Sequence, residues 1–377
     1  MKRVLLNLLL WFGLATLSLS ANAADNVVLI TFDGLRWQEV FTGLDRELAE
    51  HEEYSVQQNE LMDRFWRDSA GERARRLLPF LHGTVFANGA VVGNRNADSC
   101  AAVNNAWYFS YPGYSEILTG VVNDTIDSNG KIYNPERTIH ELLEQMPAYR
   151  DGTGAFGSWD VFPFIFNVPR SGVHVNAFSP EPNPANDFEE LLNTLHSDIP
   201  TPWPTVRNDA FTHHYAMSWF RRQRPKLLYI AYGETDDFAH DGKYDEYILA
   251  AHRTDRFIAE IWEMIQSTEG YRDNTVLFVG VDHGRGEDPI ETWQHHASER
   301  SLDGYMQSLS QYENGIVGSE ATWMAAMGPG ISDRGLITTG DDCLTNDRIA
   351  ATLLEVLGLD YTELNPNMGE PLREFLE

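Results

Sequence analysis

Carboxylates and imidazoles recur at three places in this sequence, each directly after a short apolar run. Asp33 follows residues 27–32; Glu234, Asp236 and His240 follow 227–232; Asp282 and His283 follow 275–281. His295 and His296 supply further imidazoles. Each group alone has a plain structural reading, since an Asp before Gly34 caps or turns the chain and Asp236 beside Asp237 suits a solvated loop. Gathered in one place, the acids would repel strongly unless cations sat among them. The chemistry implied is metal binding. Mixed Asp and His donors without nearby thiolates suit Zn, with Mn or Mg as alternatives, and argue against a structural zinc or iron–sulfur site. Asp236 and His240, four residues apart, can share one face of a helical turn.

The elements that must bring these groups together are also readable. The runs 27–32, 227–232, 275–281 and 322–327 are apolar almost throughout, as strands covered on both faces are. Between two of them, Ile248, Ala251, Ile258, Ile261, Trp262 and Ile265 recur at helical spacing within 244–266. Such alternation predicts an α/β fold with a mostly parallel central sheet and helices on both faces. The carboxyl ends of parallel strands share one edge, where ligands bind. A closing helix after Thr345 stops at Gly358. Three segments fall outside the repeating unit: 44–76 is charged and expected to be a helical excursion, 179–204 carries six prolines and reads as loop, and 298–318 is a polar insertion. With no internal repeat and no long linker, one domain over 24–377 is expected.

Lys2, Arg3, the apolar run 4–19 and Ala21-Asn22-Ala23 form a secretory signal, so 1–23 is expected to be removed and the mature chain exported, to a periplasm. The run is shorter than the roughly 20 residues of a membrane span, which disfavours a retained anchor. Two cysteines, Cys100 and Cys343, enter that oxidising compartment, and the sequence leaves paired and free states open. A net charge of -28 excludes binding of nucleic acid or anionic lipid through a basic surface. Nothing in the sequence sets the oligomeric state.

The strand ending Thr31-Phe32-Asp33-Gly34-Leu35-Arg36, the segment Glu234-Thr235-Asp236 with His240, and Val281-Asp282-His283-Gly284 together resemble the alkaline phosphatase superfamily, in particular its nucleotide pyrophosphatase/phosphodiesterase-like branch. The stretch from Ser110-Tyr111-Pro112-Gly113 to Thr119-Gly120 is similar to the family's nucleophile segment, which opens a helix. The resemblance implies two divalent ions, one held by Asp236, His240 and a late histidine, the other by Asp33, Asp282, His283 and the Ser110 oxygen. His296 is favoured as the late ligand, with His295 left open. It also implies a small phosphorylated substrate as the partner, and hydrolysis of phosphate monoesters or diesters through a phosphoseryl intermediate on Ser110. Asn129 resembles the family's amide donor to phosphoryl oxygens, against an Asx turn before Gly130; Arg285 could reach an anionic oxygen or pair with Glu287. Ser99 and Ser115 are rival serines, but the first lacks the Thr-Gly pair at the family spacing and the second lacks the full nucleophile elbow. Trp37, Phe41, Trp107, Tyr111 and Tyr114 are candidates to stack a ring, or simply to pack. A sulfatase is disfavoured, because Cys100 is followed by Ala101 and Ala102 rather than by C-x-P-x-R. A non-catalytic phosphate-ligand binding protein and a metal-independent serine hydrolase remain as alternatives.

Overall fold

The computed structural model describes residues 23–340 and 342–377, so nearly all of the expected signal segment lies outside the described residues. Three of the apolar runs fold as Asn26–Phe32, Leu227–Tyr232 and Thr275–Val281, each buried along its whole length. They lie side by side and parallel, with Asn26–Phe32 in the middle, and Thr153–Gly157 and His174–Ala177 extend the parallel array beyond Leu227–Tyr232. Alternate residues point to opposite faces. Val28, Ile30 and Phe32 join an apolar cluster with the helices Asp209–Gln223 and Tyr244–Ser267, while Val27 and Leu29 join another with Ser110–Thr119, Ile139–Gln145 and Ile349–Val356. Apolar side chains on both faces of every central strand are what the continuous runs require.

Register does the positioning. Phe32 pairs with Tyr232 on one side and Val281 on the other. The next residues, Asp33, Gly233 and Asp282, therefore leave the sheet together at one edge.

Residues 322–327 do not add a further parallel strand. They divide at Trp323: Ala321–Thr322 joins a small sheet with Ala101–Ala102 and Leu344–Thr345, whereas Met324–Met327 runs antiparallel to Thr275–Val281. A buried apolar run is equally suited to either direction, which is why its composition did not reveal the reversal. The segment expected to be loop, 179–204, contains the helix Asp187–Asp198. Its six prolines all lie outside that helix, and Asn186 caps it by accepting from the Glu189 amide. The charged segment 44–76 forms the helices Arg46–Ala49, Gln58–Phe65 and Ala70–Leu77. The insertion 298–318 is built of 3-10 turns around Ala297, Leu302 and Ile316. Cys100 and Cys343 are joined in a disulfide. Among the described residues, no helix is long and apolar enough to cross a membrane.

One core residue sets an acid limit on stability. His140 is fully buried between the rings of Phe166 and Tyr229, and burial pulls its pKa from 6.5 down to about 3. Above pH 6.5 the neutral ring costs nothing relative to the unfolded chain. As pH falls towards 3 the unfolded chain takes up a proton that the folded one refuses, and stability declines by about 1.4 kcal/mol per pH unit from this group. In urea unfolding between pH 7 and pH 4, His140→Leu is expected to show a shallower acid decline than wild type; parallel curves would refute this.

Candidate active site

Asp33 and Asp282 converge on a single imidazole. His283 Nε2 lies 3.3 Å from Asp33 Oδ1, 3.5 Å from Asp282 Oδ2 and 3.3 Å from Ser110 Oγ. Ser110 reaches this point because it opens the helix Ser110–Thr119, whose axis passes very close to the strand end. A Cβ on Gly113 would stand 2.5 Å from the Asp282 carbonyl oxygen, so only glycine permits the approach. The positive helix terminus then faces whatever anion the Ser110 hydroxyl meets.

A second group lies beside the first. His240 Nε2 is 3.3 Å from Asp236 Oδ2 and 3.0 Å from His296 Nε2, and His296 Nε2 is 3.6 Å from Asp236 Oδ1. The donor atoms of Asp236, His240 and His296 cluster within 4.8 Å of one another, as do those of Asp33, Asp236 and His283. His296, rather than His295, joins the cluster. The two expected ligand sets are thus brought together, with Asp236 between them.

The donor set fits divalent cations on two observations. His283 Nδ1 lies 2.9 Å from the Gly284 carbonyl and His296 Nδ1 lies 3.1 Å from the Tyr108 carbonyl. A carbonyl can only accept, so Nδ1 of each ring carries a proton. Burial holds the His296 ring neutral, with its Nε2 a lone pair aimed inward. At His283 burial acts to lower the pKa, but the Asp282, Asp33 and Asp236 carboxylates outweigh it and raise it to about 9, so a divalent ion there would take the place of the Nε2 proton. In addition, Asp33 Oδ1 and Asp282 Oδ2 are buried without a hydrogen-bond donor. Burial, and then the Asp33 charge, push the Asp282 carboxyl well above its ordinary range; burial, and then Asp236, raise Asp33. Positive charge placed among them removes that strain. Asp236 differs. Burial also acts to raise it, but the neighbouring His240 and Arg285 outweigh burial and hold it well below the usual carboxylate range.

The remaining expectations divide. Asn129 lines the crevice, its Oδ1 accepting from the Tyr111 amide at 2.9 Å, so the predicted side chain is tied to the nucleophile helix, with the Tyr305 hydroxyl as a second side-chain hydrogen-bond partner. Arg285 pairs with Asp236 rather than with Glu287. Its guanidinium is buried, donating to the Trp293 and Gln294 carbonyls and to Asp236. The rival serines are structural: Ser99 accepts from the Gly93 amide and Ser115 from the Asn134 side chain. Of the candidate stacking rings, Tyr111 and Tyr114 are buried in one core cluster and Trp37 and Phe41 pack in the other, while Trp107 lies under Arg300 in an adjoining cavity. Tyr114 donates its hydroxyl to Asp33 Oδ2 at 2.9 Å.

The crevice itself, about 610 Å³, has walls that sequence reasoning missed. Trp159, Val161 and Val206 form an apolar side, Tyr305 and Met306 come from the 298–318 insertion, and Lys131 pairs with Asp160 at 2.6 Å. Asp237 also faces it, and burial followed by repulsion from Asp236 and Asp33 pushes its carboxyl up to about 9. The only advance signal was position: Trp159 and Asp160 come just after Thr153–Gly157, a strand whose Gly-rich sequence lacks the long β-branched run of its neighbours.

Comparison with known proteins gives a family and a fold. A family profile described as type I phosphodiesterase / nucleotide pyrophosphatase matches residues 102–300. No curated protein sequence is significantly similar to the chain. Among solved structures, the wild-type alkaline phosphatase PafA aligns with a TM-score of 0.59 at 10% identity, covering 94% of this chain and 99% of that one. The phosphonate monoester hydrolase SpPMH from Silicibacter pomeroyi gives 0.53 at 14% identity over 93% of this chain and 76% of its own. BT1596, a 2-O GAG sulfatase, gives 0.51 at 12% identity over 93% and 72%. At these identities the structural likenesses establish the fold.

Proposed function

The chain belongs to the type I phosphodiesterase / nucleotide pyrophosphatase family and is a phosphoric ester hydrolase of the alkaline phosphatase superfamily; from that premise we propose that it works with two divalent ions and a Ser110 nucleophile on small phosphate monoesters or diesters, outside the cytoplasm. The observation that carries the reading is the meeting of Ser110 Oγ, Asp33 Oδ1 and Asp282 Oδ2 at His283 Nε2. One ion would be held by Asp236, His240 and His296, the other by Asp33, Asp282, His283 and Ser110. The imidazole-rich donors favour Zn, with Mn or Mg as alternatives. Such ions supply positive charge to phosphoryl oxygens and lower the pKa of a hydroxyl in contact with them.

The protein's own groups do the rest. Ser110 Oγ forms the bond to phosphorus as the bond to the leaving oxygen breaks, giving a phosphoseryl ester; attack by water on that ester releases phosphate, or the remaining monoester, and restores the hydroxyl. The amide of Asn129 offers a hydrogen bond to a phosphoryl oxygen, and the helix end behind Ser110 favours the negative charge. Tyr114 cannot replace Ser110. Burial, then the nearby Asp282, raise its hydroxyl well above the ordinary tyrosine range, and it is spent on Asp33. Action outside the cytoplasm is supported by the signal-like start of the sequence and by the Cys100–Cys343 disulfide. That disulfide and the missing C-x-P-x-R pattern count against a sulfatase.

Elemental analysis of purified protein with rates on p-nitrophenyl phosphate and bis-p-nitrophenyl phosphate provides the test. Two divalent ions per chain, loss of turnover on dialysis against a chelator and recovery with Zn or Mn are expected. Turnover indifferent to chelator would mean a metal-independent hydrolase. Binding of phosphate without turnover of either ester would mean a binding protein.

A further inference from the structure

Arg285 is buried behind the crevice, yet it reaches both halves of one ligand set. Its Nε donates to the Trp293 carbonyl at 2.9 Å, one terminal nitrogen donates to the Gln294 carbonyl and the other to Asp236 Oδ1. Trp293 and Gln294 end the turn that delivers His296, whereas Asp236 comes from the helix Glu234–His240 after another strand. Arg285 is about 1% exposed, in the loop after a third strand, and Gly34 lies so close that a Cβ there would stand 2.8 Å from its terminal nitrogen. A planar guanidinium has five N–H donors in a fixed fork, so it can hold a carboxylate and two carbonyls at set distances; a lysine ammonium cannot reproduce that geometry.

We propose that Arg285 is a positioning residue that fixes the spacing between Asp236 and His296, and thereby selectively sets the affinity of the metal site formed by Asp236, His240 and His296. The inference rests on the two-metal reading above. It assigns the guanidinium no contact with substrate. Asp33, Asp282 and His283 are held by other means, through Tyr114, the Gly34 amide and the Gly284 carbonyl, and share only the neighbouring Asp236 with the clamp, so their ion should depend on it far less.

Calorimetric titration of chelator-stripped protein with Zn tests this without reference to turnover. Wild type should bind two ions. Arg285→Lys, which keeps the charge but loses the fork, should weaken one of them about 10- to 100-fold, the usual effect of removing a group that orients metal ligands. His240→Ala removes a ligand of that same site, and in its background Arg285→Lys should leave the remaining ion's affinity within about twofold. Arg285→Gln, which retains an amide donor for one carbonyl, guards against a variant that fails to fold and should show the same selective loss. Unchanged affinity at both sites, or equal weakening of the remaining ion in the His240→Ala background, overturns the proposal while leaving the two-metal reading intact. Failure of the wild-type protein to bind two ions overturns both.

Discussion

Ser110→Ala is expected to lower kcat on p-nitrophenyl esters on the order of 10⁴-fold while the protein binds as many divalent ions as wild type and melts within a few degrees of it. The side chain is buried at the helix start, and its hydroxyl has one side-chain hydrogen-bond partner, His283 Nε2. Its loss therefore removes a nucleophile without opening a large cavity or orphaning a network. Acid quench during turnover of labelled substrate should trap a phosphoseryl protein in wild type and none in Ser110→Ala. Ser110→Thr, which keeps a hydroxyl on the same atom, should retain measurable turnover. If the alanine variant kept more than a tenth of the wild-type rate, the attacking group would have to be water, and Ser110 would revert to an ordinary helix-start serine.

How much of this was legible beforehand depended on whether the determinant was local. Leu227–Tyr232 and Thr275–Val281 were readable to their ends because strands buried on both faces need unbroken apolar runs, and the acids after them could be placed on one edge from parallel order alone. His296 was favoured from its pattern, and it is His296 that clusters with Asp236 and His240. Direction was not local: Met324–Met327 reverses, because its partner strand and not its composition decides how it runs. The helix Asp187–Asp198 was hidden by counting prolines over a window instead of noting that they flank a proline-free stretch. The partners of Arg285 were hidden for a similar reason. Its partners are backbone carbonyls brought back by a tight turn, and a carbonyl leaves no mark on a sequence. The crevice walls Trp159, Lys131 and Tyr305 come from three loops, so only the folded chain assembles them.

The same reasoning about buried charge gives opposite expectations for Asp282 with and without metal. Asp282 is fully buried, and one oxygen accepts from the Gly34 amide while the other has no donor. Burial, with Asp33 close by, penalises its ionised form. Asp282→Asn keeps the shape and the amide contact but removes the charge. In chelator-stripped protein the variant should melt at or above the wild-type temperature, since a like-charge repulsion has been relieved. Saturating Zn should then raise the wild-type melting temperature substantially and the variant's little, because an ion that binds only the folded state stabilises it in proportion to its affinity. Turnover should fall about 10³-fold or more in Asp282→Asn, and in Asp282→Ala as well, once a carboxylate ligand is lost. A stripped Asp282→Asn protein that melted well below wild type, yet gained as much from Zn, would show that the carboxylate supports the fold and leaves the metal to others.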